Sequence, residues 1–124
     1  MADTRDSAQA ICPSAALVEG AVGVRFSLRR AGRPVPAFAV RYGGTVHAYI
    51  NRCAHRGVEL DWEPGRFFDS TGCLLICATH GAVYDPITGV CVAGPCTGAA
   101  LCAVPVREDG GHVWLASEGG LELA

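Results

Sequence analysis

The sequence predicts an all-β fold. Three observations carry that expectation: short runs that alternate apolar and polar residues, turn residues between them (16 glycines among 124 residues), and a single short stretch that could be helical. Residues 1–16 are small and polar without a clear period and read as a loose lead-in, with the helix candidate at residues 12–17 behind Pro13 and Ser14. Residues 22–28 alternate as a strand does, residues 30–34 form a turn, and residues 35–42 are extended again. Gly43 and Gly44 mark a hairpin, because glycine reaches positive φ without steric cost, and residues 45–50 return as the partner strand. Later strands are expected at residues 73–77, 82–84, 89–93, 101–106 and 111–115, with Asp109-Gly-Gly111 as the last hairpin turn.

A chain of this length forms one domain and buries roughly two-thirds of its unfolded surface, so it folds without disulfides. Its net charge is −2, with no basic run, which excludes nucleic acid as a partner. No apolar stretch resembles a signal peptide or a membrane span, and a cytoplasmic location with no membrane partner is expected. Seven cysteines in a reducing compartment point to metal ligation or apolar packing before disulfides.

Two segments carry chemistry. Cys53-Ala-His55-Arg-Gly57 follows one strand, and Cys77-Ala-Thr-His80-Gly81 follows the apolar run 74–76. Each sets a thiol and an imidazole two or three residues apart at a strand end, with a glycine where the loop must turn. If each loop supplies one sulfur and one nitrogen, Cys53 and Cys77 hold one iron of a two-iron cluster while His55 and His80 hold the other. The competing reading is a structural Cys₂His₂ zinc site, whose usual spacing instead pairs Cys with Cys and His with His.

The flanks extend the pattern. Cys53-Ala-His-Arg-Gly-Val-Glu-Leu60, Cys77-Ala-Thr-His-Gly-Ala-Val-Tyr-Asp85, Thr88-Gly89, Gly94-Pro95 and the closing segments 101–106 and 111–115 resemble the Rieske ferredoxin family over residues 20–116. The resemblance implies a Rieske-like antiparallel β sandwich or barrel base, residues 20–118, with a small inserted cluster-binding subdomain at about 51–96. Residues 1–19 are then a lead-in and 119–124 a tail. It further implies one [2Fe–2S] cluster, a loop at Pro95 that shields it, a hydrogen-bonding Tyr84, and His55 and His80 edges that reach the surface as the electron port.

Departures place the chain within the family. Val58 and Thr79 stand where respiratory-type members carry a pair of disulfide-forming cysteines, and Ala82 replaces their hydrogen-bonding serine. Fewer hydrogen bonds to the cluster sulfurs imply a potential in the lower part of the Rieske range of roughly −150 to +300 mV.

The remaining cysteines, Cys12, Cys73, Cys91, Cys96 and Cys102, read as small hydrophobes, with Cys73 and Cys96 close enough to the loops to touch the cluster shell. His47 and His112 read as surface histidines, and Arg56 as exposed. Glu59, Asp61 and Glu63 with Trp62 read either as a docking edge or as a solvated loop. The expected role is a one-electron carrier from a flavin-containing reductase to a terminal oxygenase, without catalysis of its own. A catalytic oxygenase would need a further iron held by two histidines and a carboxylate, for which His47 and His112 supply no motif. The alternative is a small subunit of a larger reductase, like the nitrite reductase small subunits.

Overall fold

The computed structural model describes residues 10–54, 58–61, 63–78, 81–95, 97–116 and 121–123. Within them the chain is built from short strands, all paired antiparallel in three sheets. Strands β2 (Val24–Arg30), β3 (Arg33–Tyr42) and β4 (Thr45–Ile50) form a meander, joined on its outer edge by β10 (Leu121–Leu123). β1 (Ala10–Pro13) pairs with β9 (His112–Leu115), which pairs with β8 (Val106–Asp109). β5 (Leu75–Ile76), β6 (Val83–Tyr84) and β7 (Cys91–Ala93) make the third sheet.

β3 explains how the sheets combine. Four consecutive residues, 37–40, are buried, although strand side chains alternate between faces. Ala37 and Ala39 enter one core with Leu28, Val46, Ala48, Ile50, Val113 and Leu115, whereas Phe38 and Val40 enter a second with Tyr49, Phe67, Leu75 and Tyr84. The strand is therefore a wall between two cores, and a continuous apolar run is what a wall requires. Phe38 stacks on Phe67 at 3.9 Å between ring centroids and is tilted against Tyr49 at 5.9 Å. Burying Phe38 stabilises the fold by about 1.5–3 kcal/mol.

The turns follow their residues. Gly43 and Gly44 have φ of 65° and 79°, as a tight hairpin needs, and both their N–H groups donate to the Glu19 carboxylate at 2.6 and 2.9 Å. These bonds hold the Glu19 carboxyl below its usual range. Arg41 ties the two larger sheets, donating to Leu17 O, Ser14 O and both oxygens of Glu108. The guanidinium pulls the Glu108 carboxyl down to about 2.

Several expectations are corrected. Residues 10–16 are no loose lead-in: Cys12 pairs with Val113 and Pro13 with His112. The helix expected at 12–17 is only a 3₁₀ turn, Ser14–Ala16, because Pro13 and Leu17 on either side are extended. The expected tail pairs with β2, Leu123 opposite Leu28. Residues 101–105 form no regular strand and pair with β4 at the Tyr49–Ala103 bridge; a regular strand begins at Val106, after Pro105, which has no N–H to give. Cys73 and Cys102 are exposed, so they do not pack as hydrophobes, whereas Cys12 and Cys91 are buried. His112 is exposed and His47 half-buried.

Candidate metal centre

Both predicted loops hang from the second core, and both are closed at the neck. Cys53 N–H donates to Val58 O at 2.6 Å, and Cys77 N–H donates to Ala82 O at 2.8 Å. Gly81 N–H returns to Cys77 O at 2.8 Å, with Gly81 at φ 76° as the sharp turn requires. The loops are also tied to each other, Ala78 N–H to Leu60 O at 3.0 Å. Each loop thus starts and ends at a fixed place.

At the necks stand the two thiols, Cys53 at 1% exposure and Cys77 at 0%, in the same core as Tyr84. The Tyr84 hydroxyl accepts Ala54 N–H at 2.9 Å and lies 3.3 Å from Cys53 Sγ. At that distance either group can supply the proton; to a cluster-bound thiolate, which has none, the hydroxyl would be the donor. His55 and His80 lie outside the described residues, as do Arg56, Trp62, Thr79 and Cys96.

A third loop approaches from β7. Cys91 N–H donates to Ala99 O at 2.7 Å and Gly98 N–H to Cys91 O at 3.0 Å, closing the segment that carries Gly94 and Pro95. Gly94 has φ 96°, and a Cβ there would stand 2.9 Å from Ala82 Cα and 3.1 Å from Gly81 O. Only glycine lets this loop press against the second cysteine loop. Pro95 itself is exposed.

The first loop rests on a polar staple that its sequence did not announce. Asn51 Nδ2 donates to Asp61 Oδ1 at 2.9 Å, and Asn51 Oδ1 accepts Leu60 N–H at 2.9 Å. Asp61 Oδ2 accepts Gly65 N–H at 2.9 Å and lies 3.2 Å from Arg25 Nε. Arg25 also reaches Glu59 Oε1 at 2.7 Å. Asp61 therefore does not belong to a docking edge or a solvated loop: it is buried and closes the base of the loop. The available signal was Asn51 two residues before Cys53, a polar residue at a strand end with backbone donors to satisfy.

These features fit a two-iron cluster. Two buried sulfurs stand on tied loops, one sulfur lies 3.3 Å from the Tyr84 hydroxyl, and a glycine-borne loop presses on the second cysteine loop. A protein-family model described as the Rieske [2Fe-2S] domain matches residues 7–108. The chain belongs to the Rieske [2Fe–2S] domain family. It carries one [2Fe–2S] cluster, a one-electron centre suited to electron transfer.

The Rieske chain is 37% identical to Oxidoreductase NdmD of Pseudomonas putida over 57% of its own length, and it spans 12% of that relative. Among solved structures it is similar to the ferredoxin of carbazole 1,9a-dioxygenase from Nocardioides aromaticivorans IC177. There the identity is 27% and the TM-score 0.67, covering 88% of this chain and 96% of that one. It is also similar to the terminal oxygenase of carbazole 1,9a-dioxygenase from Novosphingobium sp. KA1, at 33% identity and TM-score 0.66. That likeness covers 83% of this chain and 27% of the oxygenase.

Proposed function

We propose that Cys53 and Cys77 hold one iron and His55 and His80 the other, and that the domain relays single electrons from a flavin-containing reductase to a terminal oxygenase. In this reading the electron-carrying unit runs from β1 through β10, about residues 51–96 are its cluster-binding part, and the carrier works in the cytoplasm. The observation that carries it is the pair of buried thiols on tied loops with the Tyr84 hydroxyl at Cys53 Sγ.

When bound, the cluster supplies one reversible electron. Cys53 and Cys77 keep water from the sulfur side through their burial. With Cys53 ligating as a thiolate, the Tyr84 hydroxyl 3.3 Å away would donate a hydrogen bond to its sulfur, which favours the more negative, reduced state. The backbone ties at Val58, Leu60 and Ala82 hold the ligand-bearing loops still, so little rearrangement accompanies charge transfer.

A reductive titration under argon tests this reading. One electron per chain, taken up and returned reversibly, is expected, with matching loss and recovery of visible absorbance. Absence of a reversible one-electron couple would contradict it.

The likeness to an oxidoreductase and to an oxygenase, each much longer than this chain, favours a second reading in which the domain serves as the electron-carrying part of a larger oxidoreductase assembly. Purification at native abundance separates the two: a carrier elutes alone, whereas an assembly component elutes with a large redox partner.

A further inference from the structure

Beside the first cysteine loop lies an open pocket of about 380 Å³. Its lining includes Cys53 and Ala54 of the loop, the apolar Val35 and Ile50, and two guanidinium groups, Arg30 and Arg52. Both arginines are exposed, and neither is paired with a carboxylate among the described residues.

Their surroundings make this unusual. The chain as a whole is slightly acidic, and two of its strand arginines have carboxylate partners: Arg25 has Glu59 and Asp61, and Arg41 has Glu108. At the end of β2, Arg29 has Glu122 opposite in register, but Arg30 is placed between Leu121 on one side and Arg33 on the other. Two like charges directly opposite across a hairpin are unfavourable without an anion to join them. The turn between them is the strained pair Ala31 and Gly32, with φ of 51° and 80°.

We infer that this pocket is a docking socket for an acidic side chain of the protein redox partner. The inference rests on the electron-carrier reading, because only then does the Cys53 wall make the pocket a place where docking matters. Guanidinium groups suit a partner's Asp or Glu because their planar fork matches a carboxylate. The apolar wall of Val35 and Ile50 accommodates the methylenes of that side chain. A partner seated here lies within one residue of a proposed ligand. Opposite charges would both speed the encounter and set its orientation.

The test uses the reduced holoprotein and two small oxidants, anionic cobalt(III)–EDTA and cationic cobalt(III) tris-phenanthroline, followed by stopped flow. Cobalt(III)–EDTA carries the carboxylates the pocket would recognise. Its rate is expected to fall with salt and to drop about tenfold in the R30Q/R52Q variant, with R30Q alone intermediate. The cationic oxidant should react with the variant at the wild-type rate or faster, and R29Q should behave as wild type with both. A hexaglutamate peptide should slow the anionic reaction in wild type and leave R30Q/R52Q unaffected.

Equal rates of wild type and R30Q/R52Q with cobalt(III)–EDTA would overturn the inference. So would citrate inhibiting as well as hexaglutamate at equal concentration, which would mark a small-anion site instead. EPR and visible spectra of the same samples separate the failures. No cluster signal in wild type overturns the carrier reading and this inference with it, whereas an intact signal with equal rates overturns this inference alone.

Discussion

The Tyr84 hydroxyl stands 3.3 Å from Cys53 Sγ and at the same time accepts the N–H of Ala54 at 2.9 Å. The backbone amide fixes the oxygen within hydrogen-bond reach of the sulfur, where it would donate to a ligating thiolate. Since Tyr84 is fully buried on β6 and Cys53 follows β4, this contact joins two different sheets at the cluster site.

Tyr84→Phe keeps the ring and removes that proton. A hydrogen bond to sulfur stabilises the reduced cluster more than the oxidised one, so its loss lowers the potential. The expected shift is about 50 mV downward, equivalent to about 1 kcal/mol for a one-electron couple. Protein-film voltammetry measures it directly, and an unchanged or raised midpoint would contradict the assigned donor.

Asn51 and Asp61 hold the base of the first loop through buried hydrogen bonds. Asp61→Ala leaves Asn51 Nδ2 and Gly65 N–H without their acceptor and the Arg25 guanidinium with Glu59 alone. A loss of about 3 kcal/mol in unfolding free energy is expected, with faster release of iron on heating. Asn51→Ala should cost less, about 2 kcal/mol, because one amide donor is lost with it. Thermal melts followed at the cluster absorbance give both values.

Gly94→Ala forces a Cβ against Ala82 Cα and Gly81 O at a positive φ. The loop bearing Pro95 must back away from the second cysteine loop, at a cost of about 1–3 kcal/mol. Air bleaching of the visible spectrum should accelerate several-fold, while Gly98→Ala, where a Cβ meets nothing within 4 Å, should bleach more slowly than Gly94→Ala.

Glu108 links β8 to Arg41, and the guanidinium holds its carboxyl at about 2 instead of the ordinary 4.5. A carboxylate with a lowered folded pKa contributes stability above its unfolded value and loses it as pH falls toward the folded one. The stability advantage of the native chain over Glu108→Gln should therefore be full above about pH 5 and vanish progressively between 4.5 and 2. Urea melts across that range measure it.

The legible parts of this molecule were those with local causes. Gly43 and Gly44 announce their hairpin because positive φ is written into the residue, and the Cys53 and Cys77 segments announce turns at strand ends, where the structure buries both thiols. β1 and β10 were missed because their partners, β9 and β2, are far away in sequence, and a few small residues acquire strand character only by pairing. Asp61 was misread for a related reason. Glu59, Asp61 and Glu63 look alike as a run of charges, and only the three-dimensional placement of Asn51 and Arg25 separates the buried member from its neighbours. Cys73 and Cys102 were placed with the hydrophobes by residue type, but Cys73 sits in an exposed turn capped by Thr71, and Cys102 opens on the arginine pocket.

The central claim, a cluster held by Cys53, Cys77, His55 and His80, is tested most directly by EPR of the dithionite-reduced protein prepared without air, with iron, zinc and sulfide measured on the same sample. The account predicts two irons and two sulfides per chain and a rhombic signal whose low average g-value reflects nitrogen ligation of one iron. That signal should be lost in His55→Ala and His80→Ala. Zinc without sulfide and no such signal would contradict it, and the electron-carrier reading would fall with the cluster.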